Sequence, residues 1–268
     1  MPTHSHGRHE HGQNFLVDAR TLRDVVALAA DAEGPILEIG PGDGALTGEL
    51  LRLGRPLTAV EIDERLVARL RRRFGRRLGL VHDDFLRTRI PFGTGTVIGN
   101  LPFHLTTAIL RKLLHDPNWG TAVLLLQWEV ARRRAGVGGA TLMTAQWSPW
   151  FEFSLHGRVP ARAFRPMPGV DGGVLRIRRR DAPLVPASER AAYQAFAHRV
   201  YTGPGRGLAA VLRRAAPEAR AGVDRWLRES RIGPNALPRD LDAEQWAALW
   251  AIVRPCDRRG RDRAGRRR

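Results

Sequence analysis

The residues best suited to chemistry in this chain are Asn100, Leu101, Pro102 and Phe103, which leave a short apolar run, Thr96 to Gly99. An asparagine oxygen can accept a hydrogen bond from an exocyclic amine, and the Leu101 carbonyl can accept a second. Phe103, stiffened by the neighbouring proline, offers a plate on which a flat base can stack. The exocyclic amine of adenine is a poor nucleophile because its lone pair is delocalised into the ring. Two acceptors pull that amine toward tetrahedral geometry and localise the pair. Transfer to an electrophilic carbon then needs chiefly positioning and charge stabilisation. No strong general base is needed in advance, since the amine proton becomes acidic once the new bond forms. Taken alone, Asn100 also suits an Asn-Pro type turn at a strand end.

A second group of residues suits a nucleotide-like cofactor. Glu38-Ile39-Gly40-Pro41-Gly42-Asp43-Gly44 follows an apolar strand and opens a helix. Gly40 and Gly42 let the backbone turn sharply and approach a ligand closely, and the helix beyond presents free N–H groups. Glu61 ends the next strand, about twenty residues on, where an acid can accept from ribose hydroxyls; Ile62 beside it belongs to the same expected site. Asp84 follows the third strand and can bind an adenine amino group. The spacing is G-x-G-x-G, not the dinucleotide G-x-G-x-x-G, and no Lys-Ser/Thr follows to make an NTPase loop. On the glycine turn alone, a nicotinamide-dependent oxidoreductase competes with other nucleotide-cofactor enzymes.

These groups need a scaffold that brings strand ends together. Apolar runs at 35–39, 57–62, 78–82, 96–99 and 122–127 read as strands, with helical spacing at 22–29, 46–53 and 65–74 between them. Such alternation predicts an α/β fold, a Rossmann-like sheet of parallel βαβ units with helices on both faces. After Asp181, Ala182 to Pro186 reads as a linker, followed by helices at 188–201, 208–215, 223–229 and 243–253, with Ser188 and Asp242 as N-caps. Trp226, Trp246 and Trp250 suit the core of this helical part. The expected organisation is a disordered His-rich tail over 1–12, a catalytic domain over 13–181, a small all-helical RNA-binding domain over 182–253, and a disordered Arg-rich tail over 254–268. The tail histidines His4, His6, His9 and His11 suit a solvated segment better than a metal site, and no metal is expected.

The 268 residues carry a net charge of +17, from 44 Lys and Arg against 27 Asp and Glu. Such a surface favours a polyanion partner. Arg132 and Arg133 follow the fifth strand, and Arg162 borders the presumed base pocket; all three suit RNA phosphates. Arg176 and Arg178 alternate as on the exposed face of an edge strand. Cys256 is the only cysteine, which excludes an intramolecular disulfide and a cysteine-based zinc site. No apolar run approaches the ~20 residues of a membrane span, and no leader-like apolar segment opens the chain. A cytoplasmic monomer is expected.

Four segments in this order resemble the rRNA adenine N6-methyltransferases: Gln13-Asn14-Phe15-Leu16, the glycine turn at 38–44, Gly99-Asn100-Leu101-Pro102-Phe103, and Phe164 to Leu175. The resemblance covers roughly residues 11–180, with a weaker helical match beyond. It implies S-adenosyl-L-methionine as cofactor, held by Gln13, Asn14, Leu16, Gly40, Gly42, Glu61, Ile62, Asp84 and Asn100. It also implies Phe103 as the ring that stacks the target adenine and Phe164 as a second wall. The family more often carries Tyr where Phe103 stands; Phe keeps the π-face. One branch, KsgA-like, dimethylates adjacent adenines of small-subunit rRNA. The other, Erm-like, methylates one adenine in the peptidyl-transferase region of 23S rRNA and so blocks macrolide, lincosamide and streptogramin B binding. Val170-Asp171-Gly172-Gly173-Val174-Leu175 looks like the Erm branch. A non-catalytic rRNA-binding factor with the same fold is the reading that an intact Asn100 and Phe103 speak against.

Overall fold

The computed structural model describes residues 14–265 apart from 231 and 234, with side chains up to residue 254. The expectations for residues 1–12 and for Gln13 lie outside the described residues. The chain forms two compact units, one of residues 1–132 and 154–179, the other of residues 133–153 and 180–268. A contiguous division after residue 181 was expected. The second unit instead takes a piece from the middle of the chain.

In the first unit, β1 (Phe15–Leu16) and α1 (Ala19–Ala30) precede β2 (Ile36–Ile39), α2 (Ala45–Leu50), β3 (Leu57–Glu61), α3 (Glu64–Phe74) and β4 (Gly79–His82). Then come β5 (Thr94–Asn100), α4 (Thr106–His115), β6 (Trp119–Gln127) and α5 (Trp128–Arg134), whose last residues enter the second unit. α6 (Leu142–Trp147) lies in the second unit, and β7 (Phe151–Val159) leads back to β8 (Phe164–Arg165) and β9 (Gly172–Arg179). Seven strands form one sheet in the order β4-β3-β2-β5-β6-β9-β7. The five from β4 to β6 are parallel, and β9 joins β6 antiparallel. The sheet is therefore mixed, and β9 is an inner strand. Arg176 accordingly pairs with Asp31 at 3.2 Å, with 20% of its side chain exposed, where an edge position had been expected.

Local chemistry explains these elements. All four residues of β2 are buried, as a parallel strand covered on both faces requires. α3 buries Leu66, Val67, Leu70 and Phe74 along one stripe. Asp63 caps it by accepting from the backbone N–H of Arg65 at 2.8 Å, and Asp18 caps α1 by accepting from Thr21 at 2.8 Å.

The chain runs outward from β2 to β4, then returns so that β5 lies on the other side of β2. That reversal opens a crevice at the carboxyl ends of β2 and β5, where open α/β sheets bind ligands. Register sharpens the point. Ile39 lies beside Gly99, so Gly40 and Asn100 leave neighbouring strands side by side. A side chain at Gly99 would stand 2.7 Å from the Ile39 carbonyl oxygen, so only glycine permits this approach.

The second unit packs α6 with α7 (Arg190–Thr202), α8 (Leu208–Ala215), α9 (Arg220–Glu229) and α10 (Ala243–Gly265). Its core is aromatic: the Tyr193 ring meets Trp150 at 5.4 Å and Trp250 at 5.9 Å, both edge-on. The Tyr193 hydroxyl donates to the Ala145 carbonyl at 2.6 Å, which ties α7 to α6. Trp226, Trp246 and Trp250 are buried, as expected for core. Asp242 caps α10 through a reciprocal pair with Gln245. Ser188 does not cap α7; it sits inside a short 3-10 turn, Ala187–Glu189, that leads into it. α10 continues to Gly265, so the part of the Arg-rich tail that is described is helical, not disordered. Arginine is a good helix former without any apolar stripe. Among the described residues no helix is long and apolar enough to cross a membrane.

Candidate active site

A cleft open to solvent lies at the β2–β5 reversal. Asn14, Gly40, Gly42, Glu61, Ile62 and Asp84 line it together with Asn100, Leu101, Pro102 and Phe103. Residues from five separate stretches of sequence thus meet in one place.

The glycine turn forms one wall. Gly40 and Gly42 have φ of 61° and 60°, where a side chain is strained. A Cβ built on Gly40 would meet no protein atom within 4 Å. The space beside its backbone is room for a ligand. Gly42 is closed on its other side by the Phe15 ring, 2.6 Å from where a Cβ would be.

Glu61 organises the rim. Its Oε1 accepts from the backbone N–H of Ile62 and Asp63, both at 2.9 Å, and Oε2 accepts from Gly42 at 3.1 Å. One acceptor position on Oε2 remains for a ligand hydroxyl. Burial pushes the Glu61 carboxyl above the usual range, and the three N–H donors pull it back. Asp84 Oδ1 accepts from the Leu86 N–H at 2.9 Å; among the described residues no donor reaches Oδ2. Ile62, 52% exposed, adds an apolar surface to the cleft beside Glu61.

The opposite wall is built on β5. Asn100 Nδ2 donates to the Asn14 carbonyl at 2.7 Å. A carbonyl only accepts, so the nitrogen must be the end that faces it, and Oδ1 is the opposite end of the amide. The N–H of Leu101 is held by the Leu125 carbonyl at 3.0 Å. Pro102 accepts from Leu105 and so starts the 3-10 turn Phe103–Leu105. Phe103 on that turn is half-buried, its ring on the cleft and not in the core.

Two sequence expectations need correction. Leu16 was expected to contact the cofactor, but its side chain is 5% exposed and packs in the core. Phe15, which the reading of the sequence missed, takes the place on the cleft. Phe164 was expected as a second wall of the base pocket. It is 1% exposed, packs in the same core and does not line the cleft. Successive residues of a strand point to opposite faces, so Phe164 turns inward and Arg165 outward. β8 instead pairs with β1, Leu16 against Phe164 and Phe15 against Arg165, which straps residues 14–17 to the unit. Phe85 and Asp83 were also missed as lining residues; an apolar residue just beyond a strand end reads as core in a sequence.

The arginines are dispersed. Arg132 pairs with Glu129 on its own helix at 2.8 Å. Arg133 is exposed and belongs to the second unit. Arg162 lines a separate groove with Asp18, Arg20 and Arg158. Among the described residues no cluster of His, Cys, Asp or Glu could hold a metal.

Behind the glycine turn, Glu38 is 1% exposed and accepts from the Thr47 hydroxyl at 2.7 Å. Burial pushes its carboxyl up to about 8, against the pull of Thr47 and with help from the charge of Glu61. The folded state therefore keeps a proton that the unfolded chain releases above the ordinary carboxylate range. Stability falls as pH rises from there through about 8. Glu38→Gln keeps an acceptor for Thr47 and removes this loss. Urea unfolding should show the variant gaining about 2–4 kcal/mol over the parent at pH 8 relative to pH 5. An equal difference at both pH values would mean that Glu38 is charged in the fold.

The donor and acceptor set of the cleft fits S-adenosylmethionine: acceptors at Glu61 and Asp84 for ribose and adenine, an apolar surface at Ile62, and open space beside the glycine turn. Known proteins with similar chains agree. The chain is 56% identical over 215 residues to an rRNA adenine N-6-methyltransferase of Corynebacterium diphtheriae, covering 80% of this chain and 85% of that one. It is 49% identical over 249 residues to the mycinamicin-resistance protein MyrB of Micromonospora griseorubida, covering 92% and 79%. Its fold matches the crystal structure of the 23S rRNA methyltransferase ErmE with a TM-score of 0.81 at 33% identity, over 90% of this chain and 100% of that one. The family model for ribosomal RNA adenine dimethylases matches residues 4–254, so the chain belongs to that family and is an S-adenosylmethionine-dependent rRNA adenine methyltransferase.

Proposed function

We propose that this enzyme methylates N6 of one adenine in 23S rRNA, as a cytoplasmic monomer, and so confers resistance to macrolide, lincosamide and streptogramin B antibiotics. The observation that carries the chemistry is the Asn100 amide, held by the Asn14 carbonyl so that its oxygen is the free end, next to Phe103 on the same cleft. A relative named for mycinamicin resistance and a structural match titled as a 23S rRNA methyltransferase support the choice of RNA.

Phe103 stacks the adenine after it leaves its helix or loop, a step that costs least for an unpaired base. Asn100 Oδ1 and the Leu101 carbonyl accept from the two N6 hydrogens and localise the nitrogen lone pair. Bound S-adenosylmethionine supplies the electrophilic methyl carbon. Asn14, Gly40, Gly42, Glu61, Ile62 and Asp84 hold that cofactor, and the walls of the cleft fix the approach of amine to carbon.

Primer extension on 23S and 16S rRNA after incubation with enzyme and cofactor tests the assignment. A block at one adenine of 23S rRNA is expected, with lowered macrolide susceptibility in an expressing strain. Modification of 16S rRNA alone would move the chain to the housekeeping branch. Phe103→Tyr should keep most of the activity, because it keeps the π-face. Phe103→Ala should weaken RNA-dependent turnover by about 10–100-fold, the loss of one base–aromatic stack. Equal turnover by the tyrosine and alanine variants would remove stacking from the account.

A further inference from the structure

A dense run of exposed arginines in the first unit lies outside the cleft. α3 and the turn after it carry Arg65, Arg69, Arg71, Arg72, Arg73, Arg76 and Arg77, all exposed. Arg65, Arg69 and Arg72 follow each other by four and three residues, which aligns them along one side of α3, and Arg76 lies in the turn just beyond it. The apolar residues Leu66, Val67, Leu70 and Phe74 face the core, so the arginines face solvent.

Several arginines elsewhere are matched by acids: Arg132 with Glu129, Arg158 with Asp171, Arg176 with Asp31, Arg213 with Asp224. Among the described residues no carboxylate pairs with Arg65, Arg69, Arg72 or Arg76. Like charges three and four residues apart destabilise a helix. A cation near the last turn gains from the helix dipole, but Arg65 stands in the first turn, where the dipole opposes it. Helix stability therefore does not account for the whole stripe. Its edge also reaches the site: Arg73 Nη1 donates to the Asp43 carbonyl at 2.8 Å, and Asp43 follows Gly42 of the cleft wall.

We propose that this arginine face is a docking surface for the phosphodiester backbone of the rRNA substrate, separate from the pocket that takes the adenine. It rests on rRNA being the substrate, as above. Counterion release from RNA phosphates supplies the affinity, and the link through Asp43 places bound backbone beside the glycine turn.

The test compares the full-length enzyme with the triple variant Arg69→Gln, Arg72→Gln, Arg76→Gln. A control removes the same charge from three scattered exposed positions, Arg23→Gln, Arg52→Gln, Arg111→Gln. Affinity for a transcript of the 23S peptidyl-transferase region is measured by filter binding from 0.05 to 0.3 M salt, a range of about sixfold. The stripe variant should bind about 10–50-fold more weakly at 0.15 M salt, with a log–log salt slope shallower by about 2. Its cofactor affinity and its kcat at saturating RNA should match the parent, so the loss appears in KM. The single variant Arg72→Glu should show the same direction. An unchanged salt slope, or an equal loss in the control, overturns the proposal. If the parent binds the transcript but methylates no adenine in it, the proposed function fails, while the slopes still decide the docking surface.

Discussion

Asn100→Ala is expected to lower the rate of methyl transfer by about 10²–10³-fold, the scale of losing one well-placed polar group at a transition state. The cofactor dissociation constant should move far less, because the glycine turn, Glu61 and Asp84 remain. Single-turnover transfer from labelled cofactor, beside a cofactor titration, separates the two quantities. Asn100→Asp is the informative companion. It keeps an acceptor but puts a carboxylate oxygen where the amide nitrogen now meets the Asn14 carbonyl. Two acceptors repel there, so the side chain loses its tether, and activity should stay well below the parent's. Unchanged turnover in the alanine variant would take Asn100 out of the mechanism.

The second large effect concerns the delivery of Asn100. At the opposite end of β5, Gly95 passes so close to the chain before β2 that a Cβ would lie 1.6 Å from the Glu33 carbonyl oxygen. Both partners are backbone, and neither can swing away. Arg55 fixes the same corner by donating to the Gly34, Ala29 and Glu33 carbonyls and to the Thr96 hydroxyl. Gly95→Ala should therefore cost about 3 kcal/mol or more, the upper end of overpacking. A fall of roughly 6–12 °C in Tm corresponds to that loss in a chain of this size. Gly93→Ala is the matched control. Its φ is 78°, but no atom lies within 4 Å of the added carbon, so it should cost only about 1–2 kcal/mol of backbone strain. Equal losses in the two variants would show that the corner relaxes.

The chemistry of the cleft was legible wherever the residue type itself carries the reason. Glycines at alternate positions after a strand, an acid at the end of the next strand and an Asn-Leu-Pro-Phe exit each suit one task, and the sheet brings them together. What stayed hidden depends on orientation. β1 and β8 have two residues each, too short for alternation to say that Phe15 faces the cleft while Leu16 and Phe164 face the core. The β6 apolar run is the same whether its neighbour is parallel or antiparallel, so the inner position of β9 had no local signature. Nor did the allegiance of α6, which the Tyr193 bond to Ala145 and the side-chain amides of Gln146 and Gln194, each donating to the other's backbone carbonyl, assign to the helical unit.

The strap formed by β1 and β8 also sets an order of events during synthesis. Asn14 emerges first, yet Phe164 and Arg165, against which its segment pairs, emerge some 150 residues later. A growing polypeptide can complete the strands from β2 to β6 and still lack the strand that pairs with Phe15 and Leu16 beside Asn14. The strap beside the cleft thus closes only when residues 14–17 meet a stretch of chain made much later.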